Sequence, residues 1–291
     1  MPQAKIGVIG GTGLYDIEGM TNIEEVELDT PFGKPSDVIV IGKLEGVGIA
    51  FLPRHGKGHH IMPTEIPSRA NIYALKSLGV ERIIAINSAG SFKEEIKPGD
   101  LLIPDQLIDR TKGRVSTFFG DGIVVHIPFA EPFCPVLSDA VFDAAVAAGV
   151  RVHLTGTYVV MEGPAFSTRA ESRLHRSWGA DIIGMTALPE ARLAREAEIC
   201  YTIIACVSDY DSWHQEREPV TVEVIVEILH RNIDIAKRII KLAVTKIPEK
   251  RDCECATALK MAIITAPELI TSKQSEKLNL LIGKYLPKGD S

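Results

Sequence analysis

The sequence predicts a single α/β domain in which helices surround a mixed or parallel β-sheet. Short apolar runs rich in β-branched residues alternate with segments of helical periodicity along most of the chain. Small or polar residues follow several of these runs directly, as expected at the strand ends of an α/β protein. No break in composition divides the chain before Lys246. We therefore expect one domain over residues 1–247, followed by a linker and a C-terminal helical tail over residues 248–291.

Each predicted element rests on its own local pattern. Strands are expected where apolar and β-branched residues cluster between turn residues, at 5–9, 38–41, 47–52, 82–86, 101–104, 107–110, 156–161, 181–184 and 200–207. The second and third strands form a hairpin across residues 44–46. Helices are expected where apolar residues keep a helical period, at 66–78, 136–148, 169–178, 188–199 and 221–244. Residues 111–135 form a long loop, and the tail is expected to be helical over 256–286 with an interruption at Pro267.

The charge balance narrows the class of partner. The net charge is -6 and the isoelectric point is about 5.8, which argues against nucleic acid or an anionic membrane as the main partner. No apolar run approaches the roughly 20 residues of a membrane span, and the first residues lack the pattern of a signal peptide. A cytoplasmic location is therefore expected.

The five cysteines are expected to be free thiols. Cys200 and Cys206 share one face of a predicted strand but lie about 20 Å apart at 3.3 Å per residue, so they cannot bridge one another. Cys253 and Cys255 lie in the predicted linker. A zinc site needs four ligands, and no other Cys or His is close to them in sequence, so no metal site is predicted. A structural or redox disulfide is the less favoured alternative.

Two segments are suited to binding an anion. The sequence Gly-Gly-Thr-Gly at residues 10–13 follows the first strand, where backbone N–H groups can approach an anion closely. It does not fit a dinucleotide or Walker A motif, because Asp16 occupies the third glycine position of the first and no Gly-Lys-Ser/Thr follows for the second. A plain tight turn remains the alternative. Arg54 and His55 end a later strand and offer a forked cation beside a second donor.

A metal site between His55 and His59 is the alternative to anion binding in the second segment. Their i, i+4 spacing brings two imidazoles together only on a helix. Gly56 and Gly58 make a helix unfavourable here, so anion binding is the preferred interpretation.

Two carboxylates follow the last predicted strand in the sequence Ser-Asp-Tyr-Asp at residues 208–211. A strand end fixes the position of a side chain while the loop exposes it to a ligand, so Asp209 and Asp211 are candidate functional groups. On these four residues alone, a capped turn closing the strand is an equally simple interpretation.

Several loops, taken together and in order, resemble those of the methylthioadenosine phosphorylases, which belong to the purine nucleoside phosphorylase superfamily. The matching stretches are Gly-Gly-Thr-Gly at 10–13, Arg-His-Gly at 54–56, Glu-Gly-Pro-x-Phe-Ser-Thr-Arg-Ala-Glu-Ser at 162–172, Gly-Met-Thr at 184–186, Pro-Glu at 189–190 and Ser-Asp-Tyr-Asp at 208–211. The resemblance covers about residues 5–245. It implies a mixed central sheet surrounded by helices and a homotrimer, with a dimer of trimers as the alternative. The tail would pack on its own domain or on a neighbouring subunit.

The resemblance also implies the reaction and the site. Phosphate would attack C1′ of 5′-methylthioadenosine and release adenine and 5-methylthioribose 1-phosphate, with inorganic phosphate as co-substrate and no cofactor or metal. Phosphate binding falls to Gly10, Thr12, Arg54, His55, Asn87, Ser88 and Thr186. Asp209 is the catalytic residue at purine N7, and Asp211 accepts a hydrogen bond from the 6-amino group.

The remaining substrate contacts are implied in the same way. Phe166 would stack on the base, Met185 would lie against the ribose, and Ser167 is a further substrate-binding residue. His59, Val222, Ile225 and the neighbouring subunit's copy of His126 would surround the methylthio group, where burying a hydroxyl without a partner costs about 1–3 kcal/mol. The alternatives are a methylthioinosine or broad purine nucleoside phosphorylase and, more remotely, a nucleotide sensor without catalysis.

Overall fold

The computed structural model describes residues 3–11, 14, 17–214 and 222–287, with the backbone alone for residues 222–231. Within these residues the strands are β1 (Ile6–Gly10), β2 (Thr21–Val26), β3 (Ile39–Leu44), β4 (Val47–Pro53), β5 (Arg82–Ser91), β6 (Leu101–Ile103), β7 (Gln106–Arg110), β8 (Val152–Leu154), β9 (Thr157–Met161), β10 (Ile182–Gly184) and β11 (Cys200–Tyr210). The helices are α1 (Ser68–Ser77), α2 (Pro135–Ala147), α3 (Arg169–Ser177), α4 (Ala187–Glu196), α5 (Val222–Lys246) and α6 (Ser272–Ile282).

All of these strands join one mixed sheet, which confirms the predicted fold class. The main path runs β2-β3-β4-β1-β5-β10-β9-β7, while β11 pairs with β5 and β6, and β6 with β8. The β1, β4, β5 and β11 pairings are parallel, whereas the hairpin of β3 and β4 and the pairing of β5 with β10 are antiparallel. The predicted hairpin turn is confirmed, with Glu45 and Gly46 both at positive φ.

The sheet separates two large apolar cores, and a smaller third cluster among the described residues contains Phe92, Val159, Ala180 and Ile183. Alternate residues of β5 face opposite sides, so Ile83 packs in one core and Ile84 in the other. Helices α1 and α4 cover the first side, and α2 and α5 cover the second. No helix in the described residues is both long and apolar enough to cross a membrane.

Four sequence expectations need correction. Strand β2 was not predicted because its residues are polar and exposed, and β8 is only three residues long. Strands β5 and β11 were expected to end at Ile86 and Val207, yet they continue to Ser91 and Tyr210. Each continuation has a partner: β10 and β11 pair with the end of β5, so the backbone hydrogen bonds of these polar residues are satisfied within the sheet.

The tail is less helical than expected. It contains α6 and short 3₁₀ turns, and residue Ile263 instead forms a β-bridge with Val125 of the long loop. This bridge explains the error, since pairing with another segment overrides a local helical preference. The division of the chain at residue 247 stays a prediction.

Candidate active site

The site lies where the central strand β5 changes neighbours. The first half of β5, up to Ala85, pairs with β1, while Gly90 and Ser91 pair with antiparallel β10. The strand β11 accompanies β5 on its other side throughout. Asn87 and Ser88 therefore lie just past the end of β1, where two neighbours diverge. Such a change of neighbours is the usual location of a ligand crevice in an α/β sheet.

Arg54 forms the base of this region and is almost fully buried. Its Nε donates to Glu190 Oε1 at 2.6 Å and its Nη2 to Glu190 Oε2 at 3.1 Å. Its Nη1 and Nη2 also donate to the carbonyls of Ile86 and Ile9, at 2.9 and 3.3 Å. Burial alone would lower the pKa of Arg54, but the charge of Glu190 raises it above the ordinary value. The guanidinium is thus held in place by protein acceptors before any ligand is considered.

Asn87 connects Arg54 to Thr186. Its Oδ1 accepts from Arg54 Nη2 at 3.3 Å, and its Nδ2 donates to Thr186 Oγ1 at 2.7 Å. Because the Thr186 oxygen accepts this bond, its own hydroxyl hydrogen is available to another acceptor. Thr186 immediately precedes α4 and makes no side-chain capping bond there. A helix N-terminus with a donating hydroxyl favours an anion.

His55 lies beside this group as a neutral imidazole. Its Nδ1 lies 2.8 Å from the carbonyl of Ile61, which requires the hydrogen to be on Nδ1. Burial lowers the pKa of His55 to about 4, and the charges of Arg54 and His59 act in the same direction. Its ring stacks on His59 with centroids 4.2 Å apart, so the expectation that this spacing brings the two imidazoles together only on a helix is wrong: residues 54–59 form turns. The Nε2 atom of the neutral ring is therefore an acceptor, suited to the hydroxyl of a hydrogen phosphate ion.

The two carboxylates lie across β5 from β10. Asp209 pairs in register with Gly90, and Gly90 in turn pairs with Ile183 of β10. A Cβ atom at Gly90 would lie 3.4 Å from both Asp209 Oδ2 and Asp211 Cβ, so both carboxylate residues lie against this position of β5. Ser208 Oγ donates to Asp209 Oδ1 at 2.6 Å. Burial raises the pKa of Asp209 even though this hydrogen bond opposes it, and the nearby charge of Asp211 raises it further.

Asp211 is buried with one oxygen unpaired. Its side chain is 7% exposed, and Oδ2 has no hydrogen-bond partner among the described residues. Burial raises the pKa of this carboxyl as well. An unpaired buried polar group costs about 1–3 kcal/mol, so a donor from a ligand would be stabilised at this oxygen.

Phe166 stands at the open side of the site, 75% exposed. Behind it, the carbonyl of Ser167 accepts from Ser212 Oγ at 2.8 Å, which ties this loop to the chain just past β11. Met185 lies directly before Thr186, and Gly163 at positive φ lets the Met185 sulfur approach: a Cβ there would lie 2.5 Å from it. Exposed aromatic and thioether groups next to polar donors are typical of a small-molecule site.

The sequence reasoning missed Arg114, Glu190 as a charge partner, and Tyr201. Arg114 donates to the carbonyls of Glu162, Met185 and Leu188 at 2.6–2.8 Å and forms an ion pair with Glu162. It therefore fixes the two loops that carry Phe166 and Met185. Tyr201 donates to Glu190 Oε2 at 3.0 Å. The Pro-Glu motif pointed to Glu190 without a role, and a lone arginine in a long loop gave no signal for Arg114.

Three of the predicted site residues have side chains outside the described part of the chain. Thr12 lies outside the described residues, as do the side chains of Val222 and Ile225. His126 is exposed, and its backbone N–H donates to the carbonyl of Ala262 in the tail at 2.9 Å. The role of every predicted site residue stays a prediction. What the structure adds is that Gly10, Arg54, Asn87 and Thr186 form one connected group: Gly10 accepts from the Arg54 backbone at 2.9 Å.

The cysteines differ from the sequence expectation. The sulfurs of Cys134, Cys200, Cys253 and Cys255 all lie within 4.8 Å of one another. The expectation that no further ligand lies near Cys253 and Cys255 is therefore wrong, because the fold brings two cysteines from distant parts of the chain to the linker. Cys200 and Cys206 are confirmed as unbridged, and all five cysteines are free thiols.

A mixed α/β sheet with buried polar donors and two carboxylates at a change of strand order has the features of a small-molecule site. The family model described as the phosphorylase superfamily matches residues 5–245. An S-methyl-5'-thioadenosine phosphorylase from Geobacter sulfurreducens is 54% identical, covering 97% of this chain and 99% of its own. One from Thermosynechococcus vestitus is 55% identical, with coverage of 97% and 99%.

Solved structures agree. A methylthioadenosine phosphorylase from an antarctic soil metagenomic library is 47% identical with a TM-score of 0.93, covering 97% of this chain and 99% of its own. The methylthioadenosine phosphorylase from Schistosoma mansoni in complex with adenine is 35% identical with a TM-score of 0.81, over 97% and 98%. The chain therefore belongs to the phosphorylase superfamily and, within it, to the S-methyl-5'-thioadenosine phosphorylases.

Proposed function

We propose that this chain catalyses the phosphorolysis of 5'-methylthioadenosine to adenine and 5-methylthioribose 1-phosphate, a step of purine and methionine salvage. The observation that carries the proposal is the position of Asp209 and Asp211 at Gly90 of β5, the same strand whose Asn87 connects Arg54 to Thr186. The relatives that share nearly the whole chain support the same reaction.

Phosphate binds at the connected group and its surroundings. Thr186 donates its free hydroxyl hydrogen, and His55 accepts the phosphate hydroxyl at Nε2. Backbone and side-chain donors of Gly10, Thr12 and Ser88 complete the set. Arg54, paired with Glu190, holds Asn87 in place, and Asn87 in turn orients Thr186. Such a pre-arranged set lowers the cost of holding the anion under C1′ in the transition state.

Asp209 acts on the leaving base. A phosphate oxygen forms a bond to C1′ while the C1′–N9 bond breaks, and the electron pair of that bond passes to the purine. Asp209 transfers a proton from Oδ2 to N7, because Ser208 already occupies Oδ1. Burial raises the pKa of Asp209, which favours its protonated form relative to that of an ordinary aspartate.

Three residues bind the adenine ring, and one of them recognises its 6-amino group. Asp211 Oδ2 accepts from the 6-amino group, which a 6-oxo purine cannot supply. Phe166 stacks on the ring, and Ser167 contacts its edge. Met185 packs on the ribose.

The methylthio group lies in an apolar pocket formed by His59, Val222 and Ile225. His126 of a neighbouring subunit closes this pocket, so the active enzyme is a homotrimer, with a dimer of trimers as the alternative. The enzyme is cytoplasmic, uses neither metal nor organic cofactor in this reaction, and binds neither nucleic acid nor membrane. Its net charge of -6 supports the last point.

The experiment that tests the proposal compares four nucleosides with and without phosphate: methylthioadenosine, adenosine, methylthioinosine and inosine. Free base is measured by chromatography. We expect adenine from methylthioadenosine only when phosphate is present. Base release without phosphate would indicate a hydrolase, preference for the inosines would indicate a 6-oxopurine phosphorylase, and binding without turnover would indicate a sensor.

A further inference from the structure

Four cysteines from three separate parts of the chain converge on one point in the fold. Cys134 precedes α2, Cys200 begins β11, and Cys253 and Cys255 lie in the linker that follows α5. Their sulfurs all lie within 4.8 Å of one another, and those of Cys200 and Cys253 are 3.3 Å apart. Three of the four side chains are buried, and Cys253 is half-buried.

The spacing of the sulfurs matches a tetrahedral metal site. Zinc binds thiolates at about 2.3 Å, which places the sulfurs of a regular tetrahedron about 3.8 Å apart. Disulfides would instead divide the cluster into two pairs, with sulfurs about 2.05 Å apart within each pair. Here each sulfur has the other three as neighbours. We propose that Cys134, Cys200, Cys253 and Cys255 bind one Zn²⁺ as a structural tetrathiolate site.

The surroundings suit the charge of such a site. Zn²⁺ with four thiolates carries two negative charges, which need compensation when buried. Arg82, Lys250 and Arg251 line a shallow pocket together with Cys134, Cys200 and Cys253. Glu81 pairs with Arg82 and Arg251, so part of this positive charge is already offset. The half-buried Cys253 and the pocket beside it give the ion a path of entry.

The metal would join the tail to the domain. Cys134 and Cys200 belong to the sheet and its helices, whereas Cys253 and Cys255 begin the tail. Arg82 donates to the carbonyls of Pro248 and Glu249, so the start of the linker is already tied to β5. A metal at the four thiols would fix the next turn, and zinc binding adds directly to folding stability in such sites.

The tail in turn holds the loop that carries His126. The backbone N–H of His126 donates to Ala262, and that of Ile264 donates to Val124, both at 2.9 Å. Zinc would therefore set the position of a loop that the proposed function places at a neighbouring active site. This consequence rests on the proposed function, but the metal site itself does not.

The test is the metal content of tag-free protein purified under reducing conditions and dialysed against a weak chelator. We expect about one zinc ion per chain by elemental analysis, in line with four thiolate ligands. Replacement by Co²⁺ should give the intense sulfur-to-metal absorption and visible bands of tetrahedral cobalt thiolate. Zinc-free protein, made by chelation in the presence of reductant, should unfold at a lower temperature and regain the original value when Zn²⁺ is returned.

Two variants make the test specific. The double variant Cys253→Ser/Cys255→Ser should lose bound zinc, and limited proteolysis should then cut the tail faster. Cys206→Ser, which removes a buried cysteine of β11 outside the cluster, should keep its zinc. The proposal is overturned if reduced wild-type protein fails to bind Zn²⁺ stoichiometrically, if it holds iron or copper instead, or if the double variant binds zinc as wild type does. Disulfides found by mass spectrometry, together with no zinc uptake after reduction, would show that the cluster forms bridges instead. Phosphorolysis by zinc-free protein would leave the proposed function intact.

Discussion

The choice between 6-amino and 6-oxo purines should depend on one carboxylate, and Asp211→Asn tests this directly. Asp211 Oδ2 is buried and has no partner among the described residues, so it is the acceptor the site can offer to the 6-amino group. The substitution keeps the shape of the side chain but removes its charge. It also introduces an NH₂ group that can donate to a 6-oxo group.

The expected fall in kcat/KM follows from the hydrogen bond that the substitution weakens. A hydrogen bond to a charged group contributes about 1.5–3 kcal/mol, so kcat/KM for methylthioadenosine should fall by about 10- to 150-fold. Activity with methylthioinosine should rise or stay constant, because its 6-oxo group no longer faces a carboxylate. The assay is release of adenine and hypoxanthine at low substrate concentration, where the rate reports kcat/KM.

An effect of Asp211→Asn on folding can be distinguished from an effect on the preference between 6-amino and 6-oxo purines. Burial raises the pKa of Asp211, so its ionised form is disfavoured in the folded protein, and an amide there should leave the melting temperature unchanged or higher at neutral pH. Asp143→Asn, an exposed change on α2, is the matched control and should alter neither property. An unchanged preference in a well-folded Asp211→Asn variant would refute the assignment of this residue to the 6-position.

Three further outcomes are expected. Asp209→Asn should lower kcat by about 10²- to 10⁴-fold with all purines. In the wild type, one component of kcat/KM should fall as pH rises through the raised pKa of Asp209, and the variant should lack this component. If the variant keeps it, Asp209 is not the proton donor. Thr186→Val should raise the KM for phosphate by about 5- to 150-fold, the equivalent of 1–3 kcal/mol. Thr186→Ser keeps the hydroxyl that accepts from Asn87, so its KM should remain close to that of the wild type. Equal effects of the two variants would contradict a role of the hydroxyl in phosphate binding. Burial raises the pKa of Glu196 to about 7, so the contribution of this residue to stability is greatest at acidic pH and is lost as pH rises from about 4.5 to 7. Glu196→Gln should therefore flatten the melting-temperature profile over this pH range. An unaltered slope would rule out Glu196 as its source.

The contacts of Arg54 give it a different role from the one that its position in the sequence suggests. A strand-end arginine next to a histidine suggests a cation that faces the ligand directly. In the structure its Nε and both Nη atoms already donate to protein acceptors, chiefly Glu190. Breaking such a buried pair leaves an uncompensated charge and costs about 3–5 kcal/mol. Its first effect is therefore to fix Asn87, and through it Thr186, in position.

Most of the central strands and helices could be predicted because their signals are local. Strands β1, β4 and β11 are apolar runs buried on both sides of the sheet, and α5 keeps its helical period through residue 246. The exposed edge strand β2 carries no such signal, since its residues are polar. The lengths of β5 and β11 were underestimated for a related reason: their last residues are polar and pair with β10 and with each other, and only the assembled sheet provides those partners.

By itself, the sequence determined the fold class and indicated the family, and it predicted roles for the strand-end residues and for the two carboxylates. These depend on residue types in short segments, where periodicity and motif order are sufficient. The tertiary structure alone decided which side chains meet: that Glu190 pairs with Arg54, that Arg114 joins the loops of Glu162 and Met185, and that Cys134 and Cys200 reach Cys253 and Cys255. Contacts between residues far apart in the chain depend on how the elements pack, and no local pattern records that. The cysteines show this most directly, because a cluster that sequence spacing argued against is formed by packing α2, β11 and the linker together.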